Sequence, residues 1–283
     1  MTSSTGTSST GTSSTGTSST GTSSTGTSTA GDVRLDIEGH VAVITLNRAA
    51  KLNAVTPAMT ETLAGYVATV NDRRDLRAVV LTGTGRAFCA GSDIAGLDDY
   101  DSPWQFGNRP DYCDAVRGLR KPAIAAINGY AFGGGLELAL GCDIRLAATT
   151  ASFAAPEIKL GWIGGGGQSV LLAHNVGPSN AALMLLTGDP VDAATALRWG
   201  LVTEVVAPDA LLPRARELAG IVASRAPIAA ETAKLNLRAA FEMPLERAID
   251  YERRLQTICF ATADAAEGRA AFAEHREPAF QGR

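Results

Sequence analysis

No apolar run in the 283 residues is long enough to cross a bilayer, and no basic-then-apolar segment opens the chain as a secretion signal would. A soluble protein of the reducing cytoplasm, with no membrane partner, is the expectation. An excess of positive charge is also missing. The formal net charge is −4, so no global field draws in nucleic acid. Cys89, Cys113, Cys142 and Cys259 lie far apart without a CxxC pair, which leaves neither a zinc cluster nor a redox dithiol and favours buried, reduced thiols. His40, His174 and His275 fit no metal spacing and no Ser-His-Asp order, so no metal is expected. The dinucleotide pattern GxGxxG and the phosphate loop GxxxxGK[ST] are likewise lacking.

What is present is the composition of an ordinary globular protein, 45% hydrophobic and 19% charged. Residues 3–27 repeat Ser-Ser-Thr-Gly-Thr without one large apolar side chain. Such a segment buries too little surface to offset the entropy of ordering, so residues 1–30 read as a disordered tail. From Val33 the texture changes. Val33 to Ile37 and Val41 to Leu46 are β-branched runs around Glu38-Gly39-His40, which predicts a hairpin. Thr56-Pro57 opens a helix with Thr56 as its cap, and Met59, Leu63, Tyr66, Val67 and Val70 give that helix a core face. Arg77 to Thr82, Ala123 to Ile127, Asp143 to Ala148 and Ser152 to Phe153 read as strands, with a helix at Leu136 to Leu140. This alternation predicts an α/β core over 31–206. Residues 207–283, rich in Ala, Leu, Arg and Glu, read as a helical C-terminal section.

Two glycine clusters follow apolar strands and precede short helices: Phe88-Cys89-Ala90-Gly91-Ser92-Asp93-Ile94 and Gly133-Gly134-Gly135-Leu136-Glu137. Each leaves backbone amides free at a helix start, those of Ser92 and Gly134 pointing outward. Two amides converging on one oxygen, at the positive ends of both helices, would make an oxyanion hole. Glu137 is surrounded by Leu136, Leu138, Ala139 and Leu140, and Glu157 lies in the apolar stretch Phe153 to Ile158. A carboxylate in such a place needs a partner or a task, and two dry carboxyls can divide acid and base roles between them. Surface positions at a helix start or in a loop are the bland alternatives for both.

Asn47 to Ala54, Phe88 to Ile94, Asn128 to Glu137 and Pro156 to Gly161 together resemble the enoyl-CoA hydratase (crotonase) family, with the two glutamates twenty positions apart. The resemblance implies a crotonase-like spiral of β-β-α units and a helical C-terminal trimerisation section, giving a homotrimer or hexamer. It places Ser92 and Gly134 at the oxyanion amides, Glu137 at the water-activating base, Glu157 at the acid serving Cα, and Gly165 at the glycine that seats the water. It implies reversible addition of water to a 2,3-trans-enoyl-CoA, the chemistry of fatty acid metabolism, with coenzyme A as part of the acyl-CoA substrate and no separate cofactor. An isomerase, a specialised acyl-CoA dehydratase and an acyl-CoA thioester hydrolase are the alternatives within the superfamily. Family isomerases commonly keep only the second glutamate, so retention of both favours the hydratase.

Coenzyme A needs cations for its phosphates, and Arg48, Lys51 and Arg86 lie near the matching segments. Backbone contacts from Leu52 and Ala90 to the adenine and pantetheine are implied by the resemblance alone. The chain also departs from the family pattern. Where Pro-Gly-x-Gly-Gly before a Thr-Gln-Arg run is usual, it reads Gly164-Gly165-Gly166-Gly167-Gln168-Ser169-Val170-Leu171, and Ala49 replaces a common proline. Tyr100, Trp104, Phe106 and Tyr112 form an aromatic stretch that packs a loop on the body or shapes a lid for a bulky acyl group, with Trp162 close to Glu157 in sequence.

Overall fold

A computed structural model describes residues 26–30, 32–95 and 100–283. For residues 1–25 the tail reading lies outside the described residues. The backbone of Gly26–Ala30, β1, pairs antiparallel with Val33–Glu38, β2, which continues through the expected hairpin into Val41–Leu46, β3. Thr56 caps Pro57–Asp72, α1, by accepting a hydrogen bond from the Met59 amide, and Met59, Leu63, Val67 and Val70 are buried.

Three strand pairs then follow the same plan. Ala78–Gly83 (β4) leads to Ala87–Cys89 (β5), followed by the helices Pro103–Gly107 (α2) and Tyr112–Arg117 (α3). Ala123–Ile127 (β6) leads to Tyr130–Phe132 (β7) and the helix Gly134–Leu140 (α4). Ile144–Ala148 (β8) leads to Ser152–Ala154 (β9), a 3-10 turn at Pro156–Leu160, and the helix Gln168–Thr187 (α5), which kinks at Gly177-Pro178. Val191–Asp192 (β10), Ala193–Arg198 (α6) and Glu204–Val206 (β11) close the core. The helices Leu211–Ala223 (α7), Pro227–Glu242 (α8), Leu245–Phe260 (α9) and Ala263–Ala273 (α10) form the C-terminal section.

In each pair the first strand joins a large sheet of order β1-β2-β3-β4-β6-β8-β11, and the second joins a small sheet of order β10-β9-β7-β5. This is the β-β-α spiral. The alanine-rich β6 is buried along its whole length, as expected of a parallel strand covered on both faces. One face of the large sheet packs with Leu63, Phe88, Leu136 and Phe153 in the main core. The other face packs Val43, Val80 and Ile124 against Leu211, Ala215 and Ala219 of α7.

The small sheet decides where chemistry can occur. β5, β7 and β9 run parallel to one another, so their C-terminal ends lie along one edge. The residues that follow each strand, at Ala90, Gly133 and Ala155, are therefore delivered side by side. Ligand sites in parallel sheets form at such carboxyl ends.

Candidate active site

Gly133 caps α4 at φ 56°, a left-handed conformation that costs glycine nothing, and a Cβ there would come 2.5 Å from Glu157 Oε1. A Cβ on Gly135 would come 1.9 Å from the Cys89 carbonyl, so only glycine lets the start of α4 lie against the end of β5. The chain after β5 is held from the other side. Val55 donates its amide to the Gly91 carbonyl at 2.8 Å and accepts from the Asp93 amide at 2.9 Å. Since Gly91 and Asp93 both turn toward Val55, the intervening Ser92 amide faces away from it. The amides of Ser92 and Gly134 have no hydrogen-bond acceptor among the described residues. Both residues line a cavity of about 620 Å³.

Glu137 and Glu157 line the same cavity and are 5% and 9% exposed. Glu137 Oε1 accepts from the Gly166 amide at 2.7 Å and the Gln168 amide at 3.2 Å. The Cys113 thiol lies 3.7 Å from its other oxygen. Burial pushes the Glu137 carboxyl above the ordinary carboxylate range against those two amides, and the charge of Glu157 pushes the same way. Glu157 accepts from Gln168 Nε2 at 3.2 and 3.1 Å, and burial raises it as well, against that bond. Two carboxyls with raised pKa, bordering one cavity, can exchange protons with a substrate between them.

The sequence reading of this region missed four residues. Gly166 carries the amide on Glu137, while its neighbour Gly165 lines the cavity. Gln168 ties to both glutamates. Tyr112, noted only for its aromatic ring, places its hydroxyl 2.9 Å from Ser92 Oγ, and a Cβ on Gly134 would come 1.8 Å from that hydroxyl. Burial lifts the Tyr112 phenol well above its ordinary range, which keeps it neutral beside the amides. Cys113 had only its expected burial. For Gly166 and Gln168 the signal was the glycine cluster that departs from the family pattern; Tyr112 and Cys113 had no such signal.

Of the aromatic stretch, Phe106 and Tyr112 line the cavity, joined by Trp162 and Ile163 from the segment after Glu157, whereas Trp104 points to solvent. Arg109 lies 3.9 Å over the Phe106 ring and borders the same cavity.

The five residues expected at coenzyme A divide into two groups. Lys51 and Arg86 are exposed on neighbouring segments, because Gly85 packs against Ala49 at the start of the Lys51 turn. Arg48 turns inward, bonding Asp93 at 2.7 Å and the Ala54 carbonyl at 3.1 Å, with Asp32 at 3.5 Å. The Leu52 carbonyl accepts the Ala90 amide at 3.0 Å, which ties the Leu52 turn to the cavity wall. Buried Asn53 completes this clamp by donating to the carbonyls of Thr84 and Ala87. Among the described residues no cluster of His, Cys, Asp and Glu could hold a metal ion.

A family model described as enoyl-CoA hydratase/isomerase matches residues 36–283. The chain is 40% identical to (E)-benzylidenesuccinyl-CoA hydratase of Thauera aromatica over 263 residues, 88% of this chain and 99% of that protein. It is 36% identical to crotonyl-CoA hydratase of Syntrophomonas wolfei over 253 residues, 88% and 97% of the two chains. The crystal structure of enoyl-CoA hydratase from Bacillus anthracis superposes with a TM-score of 0.83 at 34% identity, covering 89% of this chain and 100% of that one.

Proposed function

The chain belongs to the enoyl-CoA hydratase/isomerase family, and from that premise we propose that it adds water reversibly across a 2,3-trans-enoyl-CoA to give the 3-hydroxyacyl-CoA. The observation that carries the reading is the meeting of two buried carboxyls and two unpartnered amides around one cavity. A single carboxyl suffices to move a proton along an acyl chain. Adding water requires one group to take a proton from the nucleophile and another to give one to carbon.

In this mechanism the thioester oxygen lies between the amides of Ser92 and Gly134. Donors fixed in place before reaction stabilise the negative charge that develops there as water attacks Cβ. Glu137, ionised and held by Gly166 and Gln168, takes the proton from the attacking water. Glu157, whose carboxyl pKa burial raises above its ordinary range, delivers its proton to Cα. Water is thereby added as OH at Cβ and H at Cα. The site resets when the proton on Glu137 passes to Glu157, directly or through solvent. Gly165 lies on the wall beside Glu137, where it flanks the attacking water.

Coenzyme A arrives as part of the substrate and no further cofactor takes part. Lys51 and Arg86 carry the phosphate contacts, the Leu52–Ala90 strip runs beside the adenine and pantetheine, and Arg48 holds that strip against Asp93. Phe106, Tyr112, Trp162 and Ile163 suit an acyl group bulkier than crotonyl.

The protein works as a homotrimer or hexamer in the cytoplasm. Leu186, Leu245, Phe260 and Phe272 are more than half exposed on α5, α9 and α10, a pattern that marks an association face. No described helix is long and apolar enough to cross a membrane.

Loss of the conjugated thioester absorbance of crotonyl-CoA and of bulkier enoyl-CoAs, with product mass, tests the activity. A gain of one water supports it. An unchanged mass with a shifted double bond would instead mark an isomerase, and release of free coenzyme A thiol a hydrolase. Failure with every enoyl-CoA overturns the reading.

A further inference from the structure

Gln168 opens α5 behind the two carboxyls, at the position where the family pattern has a glycine, and its side chain is 1% exposed. Its Nε2 donates to both oxygens of Glu157 at 3.2 and 3.1 Å, and its backbone amide donates to Glu137 at 3.2 Å. Among the described residues it is the one that bonds to both glutamates. Its fit requires room. A Cβ on Gly164 would come 2.6 Å from Gln168 Oε1, 2.7 Å from Glu137 Oε1 and 2.8 Å from Gln168 Cβ, so the bare glycine at 164 leaves space for both the glutamine and the carboxyl as they stand.

We propose that Gln168 is a positioning residue that holds the base and the acid in one frame. The inference rests on the hydratase reading and deepens it. The terminal torsion of a glutamate is soft, so an unheld carboxyl would rotate through many orientations. A side-chain amide shared by both Glu157 oxygens fixes the carboxyl plane. When Glu157 carries its proton, one oxygen accepts from Nε2 and the other presents its O–H to Cα. Through its backbone the same residue fixes Glu137, so the distance between proton acceptor and proton donor is set by one side chain and one helix start.

The test is steady-state kinetics of full-length Gln168→Met, which keeps the volume and removes the donor. The expected result is a fall in kcat of roughly 10- to 100-fold with KM changed less than about threefold, as for a misplaced rather than a missing catalytic group. Loss of a donor to the carboxylate raises the pKa of Glu157, so the alkaline limb of the pH profile moves to higher pH. The other titratable or charged groups on that cavity are Glu137 from α4, Tyr112 and Asp114 from α3, Asp111 that caps it, and Arg109 from the preceding loop. Cys113 lies beside Glu137, Arg117 bonds the Gly166 carbonyl, and Lys159 is paired with Asp189. All of them are unchanged in the variant.

Wild-type kcat and limb position in Gln168→Met would overturn the proposal. A parent enzyme that hydrates no enoyl-CoA refutes the function itself. A parent that does, and loses activity in Glu157→Gln but not in Gln168→Met, refutes only this inference.

Discussion

The edge of the small sheet and the C-terminal helices depart from the usual sorting of side chains in opposite directions. At the sheet edge Glu137, Glu157 and Gln168 are buried polar groups, the two carboxyls held by named donors and Gln168 one of those donors. On α9 no residue is buried, and Leu245, Ile258 and Phe260 stand in solvent. A buried carboxyl costs free energy unless it has work to do, and an exposed apolar face costs it unless something covers it. The first region is thus read as chemistry and the second as assembly, and the two should fail independently.

Glu137→Gln and Glu157→Gln should break the first region most severely. Either should lower kcat about 10²- to 10⁴-fold, the range for loss of a general acid or base, in a crotonyl-CoA absorbance assay, with the mass in solution unchanged. Next in size is Gly134→Ala, whose methyl would land 1.8 Å from the Tyr112 hydroxyl. Displacing that amide should cost roughly 10²- to 10³-fold in kcat, and circular dichroism should show the fold retained. On the second region, Leu245→Glu with Phe272→Glu should shift the mass seen by light scattering toward the monomer while the cavity residues stay in place. An unchanged mass would remove α9 and α10 from the interface.

The smallest effect is on stability. Burial raises the folded-state pKa of Glu157 above its unfolded value, so the folded protein binds the extra proton. This group's contribution is therefore fully present below the unfolded pKa and lost as pH rises through the folded pKa. Glu157→Gln should accordingly raise Tm more at pH 8 than at pH 4, by differential scanning calorimetry. An equal shift at both pH values would mean the carboxyl is not strained.

Local pattern revealed what depends on neighbours in sequence. The β2–β3 hairpin, the Thr56 cap and the apolar β6 all lie where the residues predicted them, because turn chemistry, capping and β-branched runs act over a few residues. The strands β5, β7 and β9 are three residues each, too short to display any period, and their parallel pairing exists only between distant segments. The two amides and Glu137 were legible because glycine clusters point to them, and Glu157 because a carboxyl stands in an apolar stretch. Gln168 was visible only as a broken pattern, and its hydrogen bonds to residues 11 and 31 positions away had no local signature. Arg48 shows the reverse. Its charge suggested a phosphate, and the fold turned it inward to Asp93.

The parallel run of β5, β7 and β9 also bears on how such a protein can change. Each wall of the cavity is carried by a different crossover: Ser92 follows β5, Gly134 and Glu137 follow β7, and Glu157 follows β9. Lengthening or reshaping one crossover alters a single wall and leaves the hydrogen-bonded strands beneath it in register. A scaffold wired this way can acquire new acyl preferences by exchanging one segment at a time, with the remaining machinery inherited whole.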